Sequence, residues 1–69
     1  MSRQVKLYRR IRDLREDHDL TQAQVAKAIG LHLTRCQTYE RGEVRVPAEV
    51  IEKLARFYHV RADYILGLI

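Results

Sequence analysis

Threonine, glutamine and arginine recur between residues 33 and 41 at a spacing that sets them side by side. At about 100° per residue of helix, Leu33, Thr34, Gln37, Thr38 and Arg41 share one arc of about 140°. Cys36, Tyr39 and Glu40 fall outside that arc, on the other side, with Arg35 at the boundary. The inward set is apolar apart from Glu40; the outward set is mostly short polar groups that donate and accept hydrogen bonds. That is the chemistry a helix needs to lie in the major groove of a duplex and read base edges. Leu33 has no hydrogen bond to offer there and packs only on a thymine methyl or a sugar.

The charge balance fits the same use. Lys and Arg number 13 against 9 Asp and Glu, ten of the cations are arginine, and the net charge is +4. Arginine suits bidentate contact with phosphate and guanine, and a pI of about 9.6 is one footprint of nucleic-acid binding. Many basic small proteins bind no anion, so most arginines read by default as solvated surface. Arg41 and Arg45 flank the groove-facing helix and are the best phosphate contacts; Arg9, Arg10 and Arg56 read as plain surface.

Other chemistry finds little support. There is no nucleophile elbow, phosphate-cradling glycine loop or metal motif, so an enzyme is not expected. Cys36 has His32 one turn before it and His18 elsewhere, but a zinc site wants four ligands and nothing supplies a fourth. Cys36 and Tyr39 read as core side chains. Asp17 and Asp19 read as loop residues between helices. No cofactor, metal or small-molecule ligand is expected. A lone cysteine fits a reducing, cytoplasmic setting. The segment MSRQVKLYRR lacks the apolar stretch of a signal peptide, and no run approaches the roughly 18 apolar residues of a membrane span.

Sixty-nine residues make one small domain, 1–69, with a modest core. Its organising stretch is LTQAQVAKAIGLHLTRCQTYERG, Leu20 to Gly42: a short helix, a glycine turn and a second short helix, the pattern of a helix-turn-helix over about residues 21–40. Before it, Leu7, Ile11 and Leu14 recur at helical spacing and predict a first helix over residues 3–18, with pairs Arg9–Asp13 and Arg12–Glu16 on its surface. Thr21 and Gln24 make a capping box, Leu20 and Val25 a hydrophobic staple, and Gly30 a left-handed end. After it, Glu43–Val46 is a loop, and Pro47 opens a fourth helix whose apolar face is Val50 or Ile51, Leu54, Ala55 and Tyr58. His59 tolerates the positive φ where that helix ends. A fifth helix, roughly 62–67, closes the chain.

With these residues in view, the chain resembles the lambda-repressor/Cro class of helix-turn-helix regulators, the XRE family. The likeness rests on Ile11, Leu14 and Arg15; on Thr21-Gln22, Val25-Ala26 and Ile29-Gly30; on Tyr39-Glu40-Arg41-Gly42; and on Pro47, Leu54-Ala55 and Val60 through Ile65. It covers about residues 7–67. It implies an all-α, compact five-helix lambda-repressor-like domain acting as a homodimer on a two-fold symmetric site in double-stranded DNA. It further implies an ion pair between Arg15 and Glu40 and base reading by Leu33, Thr34 and Thr38, with Gln37 on the same arc. Backbone contacts fall on Thr21, Gln22, Arg35, Arg41 and Arg45. The chain departs from the family at His32, where Ser or Thr usually caps the third helix, at Arg41, at Glu43 and at Arg61.

Tyr64, Leu68 and Ile69 give the fifth helix more apolar groups than one small core face hides, which marks an interface between two copies; otherwise the tail folds back on the first helix. The leading expectation is therefore a sequence-specific transcriptional regulator, acting as a repressor. The alternative is a protein-interaction module, such as an antitoxin or coactivator, whose main partner is another protein.

Overall fold

The computed structural model describes residues 7–69. Among them are five helices and no strand: α1 (Arg9–Asp17), α2 (Gln22–Ile29), α3 (Leu33–Arg41), α4 (Ala48–Tyr58) and α5 (Ala62–Leu66). Residues 3–6 of the expected first helix lie outside the described part.

α1 starts later than its apolar spacing predicts. Tyr8 stands at its N-cap with φ −96° and ψ 88° and makes no side-chain cap bond. Leu7 leaves the apolar stripe and is 40% exposed. The reason is a tertiary contact that periodicity does not encode: a Cβ built on Gly42 would stand 3.2 Å from the Leu7 side chain, so Leu7 lies across the end of α3. Ile11 and Leu14 are buried as expected. Of the two surface pairs, Arg12–Glu16 forms at 3.4 Å; Arg9–Asp13 does not form among the described residues. Asp17 is the last residue of α1 rather than part of the loop, and Asp19 takes φ 55° just beyond it.

The local signals of α2 appear in full. The Gln24 N–H donates to Thr21 Oγ1 at 3.1 Å, and the Thr21 N–H donates to Gln24 Oε1 at 2.8 Å. Two donors that a helix start leaves without partners are thereby satisfied. Leu20 packs against the core beside buried Val25, and Gly30 ends the helix at φ 74°. α3 lacks such a start: His32 makes no side-chain cap bond, a deficit of about 1 kcal/mol against Ser or Thr. At its other end Gly42 is left-handed at φ 71°, and the Glu43 N–H donates to Thr38 O at 3.1 Å.

Pro47 is the N-cap of α4 rather than its first helical residue, and both Val50 and Ile51 turn inward with Leu54, Ala55 and Tyr58. Val46 is buried and anchors the loop between α3 and α4. His59 takes the left-handed conformation at φ 56°. α5 ends at Leu66 because Gly67 turns left-handed. Its Ile65, 1% exposed, is the most deeply buried large side chain. No helix among the described residues is long and apolar enough to cross a membrane.

Tyr58 is 5% exposed, and its hydroxyl finds no hydrogen-bond partner among the described residues. Its ring meets His18 at 5.0 Å and Phe57 at 4.9 Å. Burial, then the nearby Glu40 carboxylate, pushes the phenol from 10.0 up to about 12, against an opposing pull from Arg15. The folded state thus holds this proton more tightly than the unfolded chain does. Below pH 10 the contribution is intact; it is lost as pH rises from 10 through about 12. Tyr58→Phe is expected to keep or raise the melting temperature at neutral pH and to remove the late-titrating phenol from an alkaline absorbance titration. A loss above about 1 kcal/mol on that substitution would mean the hydroxyl contributes a bond.

Candidate nucleic-acid interface

The wheel worked out for α3 matches its burial. Cys36 and Tyr39 are buried, while Leu33, Thr34, Arg35 and Arg41 are exposed and Gln37 and Thr38 half-buried. Thr38 Oγ1 donates to Arg35 O at 2.8 Å, so its donor is used within the helix and its lone pairs face out.

The back of α3 is fixed by charge. Arg15 of α1 donates to Glu40 through both Nε (2.7 Å) and Nη2 (3.0 Å), a bidentate pair whose side chains are 14% and 7% exposed. Arg15 Nη1 donates to Leu20 O at 2.9 Å, and Gln22 Nε2 donates to Glu40 Oε1 at 3.2 Å. The hydrogen bond to Glu40 raises the Arg15 pKa although burial opposes it, so the guanidinium stays charged. One carboxylate therefore joins α1, α2 and α3.

Beside this network an open cleft of about 420 Å³ is lined by Arg12, Arg15, Thr21, Gln22, Glu40 and Arg41, together with Leu20. The start of α2 opens into it with no acidic residue in the first turn. A helix N-terminus carries partial positive charge; Arg12 and Arg41 stand beside it, each paired with an exposed carboxylate, Glu16 and Glu43. The arrangement suits an oxyanion such as a phosphate. It borders the exposed arc of α3, so an anion there and a groove against α3 would be met together. Arg41 is held at the rim by Glu43, with Nε 3.0 Å and Nη2 2.9 Å from Oε1. Arg35 and Arg45 carry no ion pair among the described residues.

Residues 11–65 match the helix-turn-helix family model. The chain belongs to the helix-turn-helix family. It is 42% identical over 86% of its length to an uncharacterised HTH-type transcriptional regulator, YobD, of Bacillus subtilis, covering 53% of that protein. It is 45% identical over 74% of its length to the cryptic phage CTXphi transcriptional repressor RstR of Vibrio cholerae, covering 46% of it. It is 33% identical over 83% of its length to the antitoxin PezA of Streptococcus pneumoniae, covering 36%. The chain thus spans about half the length, or less, of these curated relatives. In fold it is similar to a transcriptional regulator from Listeria innocua, with a TM-score of 0.81 at 22% identity, over 97% of this chain and 63% of that one. These names are those of regulators and an antitoxin; none is an enzyme's.

Within this helix-turn-helix chain, sequence reasoning missed three roles. Arg12 reads as a surface residue paired within its helix, yet it lines the cleft. Gln22 reads as a DNA contact, yet its amide also braces Glu40. Arg10, expected as plain surface, is half-buried: it lies over the Tyr64 ring at 4.2 Å, donates to Tyr64 O at 2.7 Å, and donates to Ile69 O. The last two partners are more than 50 positions away in sequence, so no local pattern could reveal them. Tyr64 is thereby half-buried on its own α1, while Leu68 and Ile69 remain 69% and 60% exposed. Part of the tail does fold back on the first helix. Cys36 is buried, and burial followed by the Glu40 charge pushes its thiol up, away from the reactive thiolate. No group of three ligating side chains comes together among the described residues.

Glu40→Ala leaves the Arg15 guanidinium partly buried without its carboxylate. A loss of about 3–5 kcal/mol is expected, large for so small a domain, and read as a lower denaturation midpoint. Replacing both charges by apolar groups, Arg15→Met with Glu40→Leu, is expected to recover much of it. An unchanged midpoint in Glu40→Ala would overturn this account of the pair.

Proposed function

We propose that this chain is a sequence-specific double-stranded DNA-binding regulator of transcription, a repressor acting as a homodimer on a palindromic operator. One observation carries the reading: the exposed arc of α3 stands beside an arginine-lined cleft at the start of α2, so groove and phosphate are engaged in one approach. α3 enters the major groove. Gln37 offers the amide suited to adenine, and Thr38 an acceptor and a methyl; Thr34 hydrogen-bonds, and Leu33 packs on a thymine methyl. Thr21, Gln22, Arg35, Arg41 and Arg45 hold the backbone, fixing position without reading sequence.

The dimer forms through Leu68 and Ile69 with Tyr64 at their edge, because these apolar groups stand in solvent beside a helix already anchored to α1. Two copies then read half-sites about 34 Å apart, one turn of the duplex. The setting is the cytoplasm, where a single buried thiol stays reduced.

The likeness to an antitoxin favours one second reading, a module whose main partner is a protein. Salt separates the two. Binding that neutralises several phosphates weakens steeply as salt rises, whereas an apolar protein interface does not.

Selection of bound sequences from a random duplex pool near physiological salt tests the proposal. Enrichment of a palindrome with half-sites one turn apart is expected; salt-sensitive retention with no enriched sequence would overturn it. Gln37→Ala and Thr38→Ala are expected to relax the selected motif while leaving the unfolding free energy within about 0.5 kcal/mol of the parent. Arg45→Ala is expected to weaken binding to every sequence and lower the salt slope by about one.

A further inference from the structure

The Arg41–Glu43 pair stands where it has a consequence for binding. Arg41 lies on the outward arc of α3 and lines the cleft at the start of α2. Glu43 is not a loose neighbour. Its backbone N–H closes α3 on Thr38 O at 3.1 Å, after the left-handed Gly42 at φ 71°. The helix cap therefore fixes the point from which its carboxylate meets Arg41, at 2.9–3.0 Å. Both side chains are more than half exposed, at 58% and 53%, so burial does not bar a competing anion from Arg41. Arg35 and Arg45 carry no such carboxylate among the described residues. Of these three α3 and loop arginines, only the one at the cleft is neutralised from within the chain.

We propose that Glu43 is an internal competitor for the DNA phosphate at Arg41, a carboxylate held by the α3 cap that lowers sequence-independent affinity. The inference rests on the reading of the chain as a DNA-binding protein. A phosphate approaching Arg41 must displace the Glu43 carboxylate and meets its negative charge as well. Because backbone contacts carry no sequence information, the penalty falls on every duplex alike. The protein holds less tightly to DNA at large while the base-reading arc is untouched.

The test is a double-mutant cycle on duplex binding over a range of salt, with wild type, Glu43→Gln, Arg41→Ala and the double variant. Glu43→Gln keeps the backbone cap and removes only the charge. It is expected to tighten binding several-fold to both selected and scrambled duplexes, and to steepen the salt slope by about one, the signature of one added phosphate contact. In the Arg41→Ala background the gain is expected to shrink to the small part that direct repulsion by the Glu43 carboxylate supplies. No tightening by Glu43→Gln, or an equal gain with Arg41 absent, would overturn the inference, the second outcome reducing Glu43 to general repulsion. Wild type that binds duplex while the cycle shows no coupling would leave the proposed function standing and overturn this role alone. Wild type that binds no duplex at any salt would overturn both.

Discussion

The Glu40 carboxylate is the constraint on which the rest of the structure depends. A charge with only 7% of its side chain exposed is unfavourable unless hydrogen bonds replace its water. Here Arg15 supplies two from α1 and Gln22 a third from α2. Those bonds are directional, which apolar packing is not. α3 is short, has no side-chain cap bond from His32, and rests on the core through little more than Cys36 and Tyr39. Its rotation about its own axis decides which side chains face out. A bidentate arginine fixes that rotation in a way two apolar contacts do not. The pair's value lies in register more than in net stability, since desolvation offsets much of the attraction between buried charges.

The same carboxylate reaches further than its bonded partners. It helps hold the Cys36 thiol and the Tyr58 phenol in their neutral forms, after burial itself. Tyr58 belongs to α4 and meets the His18 ring, tilted at 51°, just beyond α1. His18 in turn meets Leu14 O at 2.8 Å through Nδ1. Four of the five described helices therefore feel one negative charge, by direct bond or by field. α5, which buries Ile65 in the core, is tied to α1 by an opposite device, the Arg10 cation over the Tyr64 ring.

What the sequence made legible was what neighbours in the chain decide. The capping box at Thr21 and Gln24, the left-handed ends at Gly30 and His59, and the two faces of α3 each follow from residues within a turn or two of one another. The start of α1 was not legible, because the apolar spacing runs on through Leu7 while a contact with Gly42 draws Leu7 off the helix. Arg10 was misread for the same reason: its partners sit at the far end of the chain. The Arg15–Glu40 pair is the instructive exception. It spans 25 positions, and only family likeness pointed to it, since the inward place of Glu40 on the wheel said that it needed a partner without saying which.

The division of labour on α3 follows from the same geometry. Leu33 and Thr34 are exposed, and Gln37 and Thr38 are half-buried, with a side-chain hydrogen bond running from Thr38 Oγ1 to Arg35 O within the helix. Substitution on this arc meets solvent, so it disturbs the fold little. Substitution at Cys36, Tyr39 or Glu40 meets the core or the ion pair. A helix of nine residues thus carries two nearly independent sets of side chains, one holding its orientation and one presenting chemistry. On the proposed reading, base preference is free to change along the second set because the first does not depend on it. Arg41 and Glu43 lie where the two sets meet, at the cap that ends α3, which is why the proposed role of this exposed ion pair concerns binding rather than the fold.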